Sequence, residues 1–154
     1  MFFRVAAREN CIWLVSLFKE CWAAVYNLMI EQTVTVGKGR NQHDVQEPTR
    51  KCHAFLLLRH RNVWPTYYQV IKMPISMSNI RQIMSRGPEK GFASIEQYID
   101  AWRLMFANAW EFNQENSQIY QDALDLEKYF DEQILQAAQK YFISLPESSF
   151  MMPM

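Results

Sequence analysis

The stretch "SIEQYIDAWRLMFANAWEFNQENS", residues 94–117, decides the fold because it specifies one long amphipathic helix with defined ends. Ser94 followed by Gln97 has the form of a capping box, which marks the start of a helix. Apolar residues then recur at spacings of three and four for about five turns, or roughly 27 Å. They are Ile95, Tyr98, Ile99, Trp102, Met105, Phe106, Ala109 and Phe112. One face of this helix is therefore predicted to lie in a hydrophobic core.

Asn113 stands where this helix ends, directly after Phe112. One explanation is structural, because asparagine tolerates the left-handed backbone conformation that often ends a helix. The other is functional, with the side-chain amide serving as a recognition group in a pocket. The local sequence does not separate the two.

Three further segments show helical periodicity. The first is predicted to cover Glu9–Ile30, and a short second one is capped by Ser76. The last begins after Ser117, and its inward residues are predicted to be Ile119, Ala123, Leu126, Phe130 and Ile134. Three long amphipathic segments and one short one predict an all-α protein with a four-helix bundle fold. No alternating strand pattern and no internal repeat stands out.

A long connection separates the first two helices. Its first part, "EQTVTVGKGRNQHDVQEPTRK" at residues 31–51, is polar and is predicted to be partly disordered. Its second part, "CHAFLLLRHRNVWPTYYQVIKMP" at residues 52–74, is rich in aromatic residues and proline and is predicted to be a packed, functional loop. The folded domain is predicted to span residues 9–142, with tails at 1–8 and 143–154.

The composition indicates one globular domain and no membrane span. The chain has 154 residues, of which 49% are hydrophobic, enough for a sizeable core. No apolar run reaches the roughly 18 residues that a membrane-spanning helix needs. Arg4 and Arg8 precede an apolar run, as in a signal peptide, but Lys19 and Glu20 interrupt that run and its helical spacing continues beyond them. An intracellular protein is predicted.

Motifs of catalysis and of metal or cofactor binding are absent from the sequence. With only four glycines, a phosphate-binding loop is hard to build, and no hydrolase or zinc-protease motif occurs. Cys11, Cys21 and Cys52 are odd in number and contain no Cys-x-x-Cys pair, so neither a disulfide framework nor a zinc site is indicated. We therefore predict that the protein is not an enzyme and needs no cofactor or metal.

Charge is unevenly distributed, although the net charge is zero. Residues 94–134 carry nine acidic side chains against two basic ones, a net charge of −7. Such a surface suits a cationic partner and disfavours strong direct binding of nucleic acid. The simpler alternative is that these charges only solvate an exposed helix face.

Two motifs in order resemble those of a bromodomain. "WPTYYQVIKMPISMSNI" contains the family's Pro-x-Tyr-Tyr-x-x-Ile-x-x-Pro pattern, and "FANAWEFNQENSQIYQDALDLEKYF" places an aromatic-Asn pair at the end of the third helix. The likeness is greatest to the bromodomains of chromatin-remodelling subunits of the polybromo, Snf2-like and RSC type. It implies a left-handed four-helix bundle whose interhelical loops form a pocket for acetylated lysine.

The resemblance also implies a role for seven residues. Asn113 matches the asparagine that donates to the acetyl carbonyl, and Tyr67 matches the tyrosine that reaches that carbonyl through a water. Tyr68 matches a packing residue of the same site. Phe55 and Leu58 match an aromatic and an aliphatic pocket wall, Ile119 the residue beside the mouth, and Ala109 a small residue of the floor.

The function implied is that of an acetyl-lysine-binding reader of acetylated histone tails, in the nucleus and within a chromatin-remodelling complex, whose other subunits would be its partners. Such a pocket excludes unmodified lysine because acetylation removes the charge that burial would desolvate. Arg59 departs from the proline common in close relatives, and Ser76 replaces the usual acid. The alternative is a bromodomain-like scaffold for protein-protein interaction that has lost acetyl-lysine binding.

Overall fold

Four helices form the body of the molecule, in agreement with the predicted bundle. A computed structural model describes residues 2–146, with side chains from residue 12 onward. The bundle consists of α1 (Phe2–Asn27), α3 (Met77–Ser85), α5 (Ile95–Phe112) and α6 (Gln118–Lys140). Two short helices, α2 (Pro65–Val70) and α4 (Gly87–Lys90), lie in the connections before and after α3.

The starts of α3 and α5 are those that the sequence predicts. The Ser76 hydroxyl accepts a hydrogen bond from the backbone N–H of Asn79, whose side chain in turn accepts from the Ser76 N–H, so this capping box is complete. The Ser94 hydroxyl accepts from the Gln97 N–H, but the Gln97 side chain reaches one residue further back, to the N–H of Ala93. These caps fix where α3 and α5 begin.

The core is rich in aromatic residues and joins all four helices of the bundle. Trp102, Tyr98, Phe106 and Phe130 are fully buried, and the Trp102 and Phe130 rings stack with centroids 4.9 Å apart. Two polar bonds tie distant segments: the Tyr98 hydroxyl donates to the Phe18 carbonyl, and the Trp22 indole donates to the Met77 carbonyl, each at 2.8 Å. Burial of these large rings, together with the two bonds that satisfy the polar atoms of Tyr98 and Trp22, fixes the relative positions of the helices.

The connection from α1 to α3 differs from its prediction in its first part. Residues 31–51, predicted to be partly disordered, lie mostly in an antiparallel hairpin of β1 (Met29–Val36) and β2 (His43–Arg50). Its turn needs glycine at Gly37, where φ is +88° and an added Cβ would meet the Asn41 carbonyl oxygen at 2.4 Å. Only two strands pair, and Gln32 interrupts the apolar alternation of β1, so the strand signal in the sequence is weak.

The predicted tails are only partly described. α1 begins at Phe2, so the helix includes residues 2–8 of the predicted tail. It ends at Asn27, three residues before the predicted end at Ile30, and β1 begins two residues later. At the other end, residues 143–146 form no regular element and residues 147–154 lie outside the described part. Within residues 2–146, no helix combines the length and the hydropathy of a membrane span.

Candidate functional site

A cavity opens at one end of the bundle, where the long α1–α3 connection meets the ends of α5 and α6. Six of the seven residues predicted for the site line it: Phe55, Leu58, Tyr67, Ala109, Asn113 and Ile119. Its volume is about 50 Å³. That is room for roughly four water-sized groups, the size of a small amide such as an acetamide head.

Asn113 sits at the C-cap of α5 with φ −103° and ψ 155°, which is ordinary extended backbone. The left-handed conformation that would have explained an asparagine here on backbone grounds is therefore absent. Its backbone N–H and its side-chain Nδ2 both donate to the Ala109 carbonyl, each at 3.0 Å. An amide Nδ2 carries two hydrogens, so one remains for a group in the cavity.

Tyr67 faces the cavity from α2 and is almost fully buried. Its ring stacks on Trp64 at 4.9 Å between centroids and meets Phe112 edge-on, also at 4.9 Å. Its hydroxyl has no hydrogen-bond partner among residues 12–146, so it is available to a water or a ligand. Burial, with smaller contributions from Tyr68 and Glu111, raises the pKa of Tyr67. The hydroxyl therefore stays protonated at neutral pH and can donate.

Tyr68 is the predicted site residue that does not line the cavity. Its ring meets Tyr67 edge-on at 5.7 Å, and its hydroxyl donates to the Arg59 carbonyl at 2.5 Å. The Arg61 guanidinium lies over the Tyr68 ring, 4.7 Å from its centroid. Tyr68 therefore packs against Tyr67 outside the cavity lining, and its hydroxyl bond holds the loop that carries Arg59. These contacts are those of a packing residue, the role predicted for it.

The remaining wall comes from residues that the sequence analysis did not predict for the site. Trp64, Ile75, Ser76 and Met105 also line the cavity. Trp64 directly precedes the Pro-x-Tyr-Tyr motif, and this position is the feature of the sequence that could have identified it as a residue of the site. The Arg59 guanidinium lies 5.6 Å from the Trp64 ring centroid, outside the cavity lining, and so Arg59 does not block the wall.

Asn108 is a supporting residue that the sequence also missed. It is 5% exposed, and its Nδ2 donates to the Met73 carbonyl at 2.8 Å. This bond joins α5 to the loop just before Pro74 and Ile75, and so it sets the distance between two walls of the cavity. No periodicity marks a polar residue on the buried face of a helix, since its partner is brought close only by folding.

The site has polar and apolar groups but no metal-binding arrangement. Within the described side chains, no group of three or more His, Cys, Asp or Glu could hold a metal ion. What the cavity offers is an aromatic and aliphatic sleeve, one free amide N–H from Asn113 and one free hydroxyl from Tyr67. This arrangement can hold a neutral amide, and its lining contains no carboxylate that would offset the charge of a bare ammonium group.

Part of this chain is similar in sequence to subunits of chromatin-remodelling complexes. The chain is 39% identical over 67 residues, or 44% of its length, to chromatin structure-remodeling complex subunit rsc1 of Schizosaccharomyces pombe. It is 34% identical over 80 residues, or 52% of its length, to SWI/SNF chromatin-remodeling complex subunit snf22 of the same yeast. The matched regions make up only 8% and 5% of those two proteins.

A solved structure supports the fold independently. The bromodomain from human BAZ1A superposes with a TM-score of 0.60, covering 84% of this chain and 95% of that one at 23% identity. The family model described as Bromodomain matches residues 43–125, a range that begins with β2 and contains every predicted site residue. The left-handed four-helix bundle of that family is the fold observed, and the chain belongs to the bromodomain family.

Proposed function

We propose that this chain is an acetyl-lysine-binding reader module that recognises acetylated histone tails. The observation that carries the proposal is Asn113: its extended backbone conformation does not require asparagine, and its side chain lines an apolar cavity together with Tyr67, whose hydroxyl is free. Bromodomains are binding modules, and the absence of catalytic motifs leads us to propose that this one is not an enzyme.

The proposed partners follow from the relatives and from charge. Two relatives are named as subunits of remodelling complexes, so we propose a nuclear protein that assembles with other subunits of such a complex. The acidic side chains of residues 94–134 favour a basic peptide and oppose strong direct binding of nucleic acid. No feature of the described residues indicates that a cofactor is needed, and we propose none.

Binding should be selective but modest. An acetylated lysine residue has about a dozen heavy atoms when its backbone is included, and at ~0.3 to 0.5 kcal/mol per atom it contributes roughly 4 to 6 kcal/mol, a Kd between about millimolar and tens of micromolar. Calorimetric titration with an acetylated histone peptide and its unacetylated twin tests this. We expect binding in that range for the first and much weaker binding for the second.

The same titration separates the reader from the scaffold alternative. A scaffold that has lost the pocket's function would bind neither peptide, or both equally. Either result, with circular dichroism showing a folded protein, would reject the reader proposal.

A further inference from the structure

A second, larger depression lies beside the cavity, between the base of the β-hairpin and the first turn of α6. Its volume is about 490 Å³. Ala54 and Ile119 line both depressions, so the two share a rim. We name this depression the hairpin groove. A peptide whose acetylated lysine enters the cavity can cross this rim and continue into the hairpin groove.

The hairpin groove follows the outer edge of β1. Residues 30–33 of β1 all line it, although the side chains of successive strand residues point to opposite faces. The β2 residues 46–48, which pair with residues 31–33, do not line it. A depression over one face of the hairpin would be lined by alternate residues of both strands. The groove therefore runs alongside β1, next to its main chain.

The register of the hairpin directs every second peptide group of β1 outward, away from β2. In an antiparallel pair, residues that exchange backbone bonds with the partner strand alternate with residues whose N–H and C=O point outward. The Lys51 N–H donates to the Leu28 carbonyl at 2.9 Å, so these two residues form a pair of the bonded kind. Counted along the register from that pair, Glu31 and Thr33 are residues whose N–H and C=O point outward. Within residues 2–146, these groups of Glu31 and Thr33 have no hydrogen-bond partner.

The other edge of the hairpin is interrupted by proline. Pro48 pairs with Glu31, so its nitrogen lies on the outer edge of β2, where it has no hydrogen to donate. Proline on an edge strand is one way in which proteins prevent another chain from pairing there. The strand β1 contains no proline, and so its outer edge keeps the N–H groups of both Glu31 and Thr33.

Lys51 holds the hairpin beside α6. Its ammonium bonds Asp122 Oδ1 at 2.7 Å and Asp125 Oδ2 at 3.1 Å, and its side chain is only 12% exposed. Burial opposes the charge, but the bonds to the two aspartates raise the pKa of Lys51, so this clamp stays ionised at neutral pH. The edge of β1 is therefore held next to the cavity before any ligand binds.

The side chains of the groove select no particular charge. Its lining contains two carboxylates and two cations, which are Glu31, Asp122, Arg50 and Lys51. Lys51 is bonded to Asp122, and the Arg50 guanidinium lies over the Tyr26 ring, 4.1 Å from its centroid. What the groove offers instead is the main chain of β1, which any extended peptide can pair with.

We infer that β1 takes up the segment beside the acetylated lysine as a third strand of the sheet, through the main-chain groups of Glu31 and Thr33. The inference rests on the proposed function of the adjoining cavity, which supplies the occupant, because the two depressions share a rim and one extended peptide can reach both. Glu31 and Thr33 are two residues apart, so they bond every second residue of the peptide. Recognition of this kind depends on the backbone of the peptide more than on its side chains.

Ester-substituted peptides test for the third strand. In an acetylated histone peptide, the amides on both sides of the acetylated lysine are replaced one at a time by an ester, which removes one N–H and leaves the side chains unchanged. Calorimetric titration of the whole chain should show losses of about 2- to 12-fold at alternate positions on one side of the acetylated lysine, the range for one hydrogen bond. The intervening positions are the control. Equal affinities across the series would overturn the inference.

Two proline substitutions on the hairpin locate the third strand. Thr33→Pro removes an outward N–H of β1 and should weaken the binding of the acetylated peptide by a similar factor. Gln46→Pro is the matched control, because Gln46 pairs with Thr33 and the change removes an outward N–H of β2 instead. Both substitutions also break the bond from Gln46 Nε2 to Thr33 Oγ1, so that loss is common to them. Equal binding by the two variants would reject a role for the edge of β1.

The bundle should stay folded in both variants, because its core, within the described side chains, contains nothing from residues 29–50. Circular dichroism and the binding of acetyl-lysine blocked at both ends check this, since the blocked residue has no neighbours to pair with β1. If the blocked residue does not bind the unaltered protein, the proposed function itself fails. A second copy of the chain on the same edge would make the unaltered protein a dimer that Thr33→Pro converts to a monomer in sedimentation. That result would overturn the inference of a bound peptide.

Discussion

Replacing Asn113 by alanine should remove most acetyl-lysine binding without unfolding the protein. One Nδ2 hydrogen of Asn113 is taken by the Ala109 carbonyl, and the other is the donor that we assign to the acetyl group. Without it, the acetyl carbonyl is buried unpaired, at a cost of about 1 to 3 kcal/mol. At 1.4 kcal/mol per tenfold, the affinity should fall by roughly 5- to 150-fold.

The helix end should survive this change. The backbone N–H of Asn113 donates to the same Ala109 carbonyl at 3.0 Å and is untouched by the substitution. The extended backbone at this position is open to alanine as well. Helical content and the midpoint of urea unfolding should therefore stay close to those of the unaltered protein.

Calorimetric or NMR titration with one acetylated histone peptide measures the effect. Asn116→Ala is the matched control, since Asn116 is exposed in the same loop and does not line the cavity. If Asn113→Ala binds within twofold of the unaltered protein while the control also binds normally, the anchoring role is refuted. A loss of binding in both variants would point to the loop as a whole and would equally reject a specific role for Asn113.

Three other changes test the surroundings of the site. Tyr67→Phe should weaken peptide binding by about 0.5 to 1.5 kcal/mol in titrations and leave thermal stability nearly unchanged. Because burial raises the pKa of Tyr67, the binding of peptide by the unaltered protein should show no midpoint from Tyr67 between pH 7 and 10, and a midpoint in that range that Tyr67→Phe removes would contradict this. Asn108→Ala leaves the Met73 carbonyl unpaired and should cost about 1 to 3 kcal/mol of unfolding free energy in urea, an effect that Asn116→Ala should not share. Burial raises the pKa of Glu127 despite a neighbouring arginine, so the folded state holds this proton more tightly than the unfolded chain does and stability falls as pH rises through the folded pKa. Glu127→Gln should remove that part of the fall, and identical pH profiles of unfolding for the two proteins would show that the group does not contribute.

The helices of the bundle were predictable because their signals are local. Ser76, Ser94 and Ser117 each cap the helix that follows them, and the apolar spacing after Ser94 names the buried face of α5 almost residue by residue. A cap and a stripe at period 3.6 depend on residues within a few turns of each other, so they can be read from the chain alone. The two motifs that resemble a bromodomain are local in the same sense.

Contacts between distant segments were decided only by the tertiary structure. The hairpin of β1 and β2 is weakly patterned, and the Lys51 clamp to Asp122 and Asp125 joins residues far apart in the chain, so periodicity indicates neither. The bond from Asn108 to Met73 depends in the same way on how α5 meets the long connection.

Asn113 shows most clearly what the sequence determines and what only the tertiary structure decides. The local sequence placed an asparagine at a helix end and left a cap and a ligand anchor both open, and the resemblance to bromodomains favoured the anchor. Its extended φ and ψ and the cavity that it lines are consequences of how the α1–α3 connection packs over the end of α5. Residue types and local spacing can be read directly from the sequence. Whether an Nδ2 hydrogen of Asn113 remains free for a ligand depends on neighbours that only folding brings together.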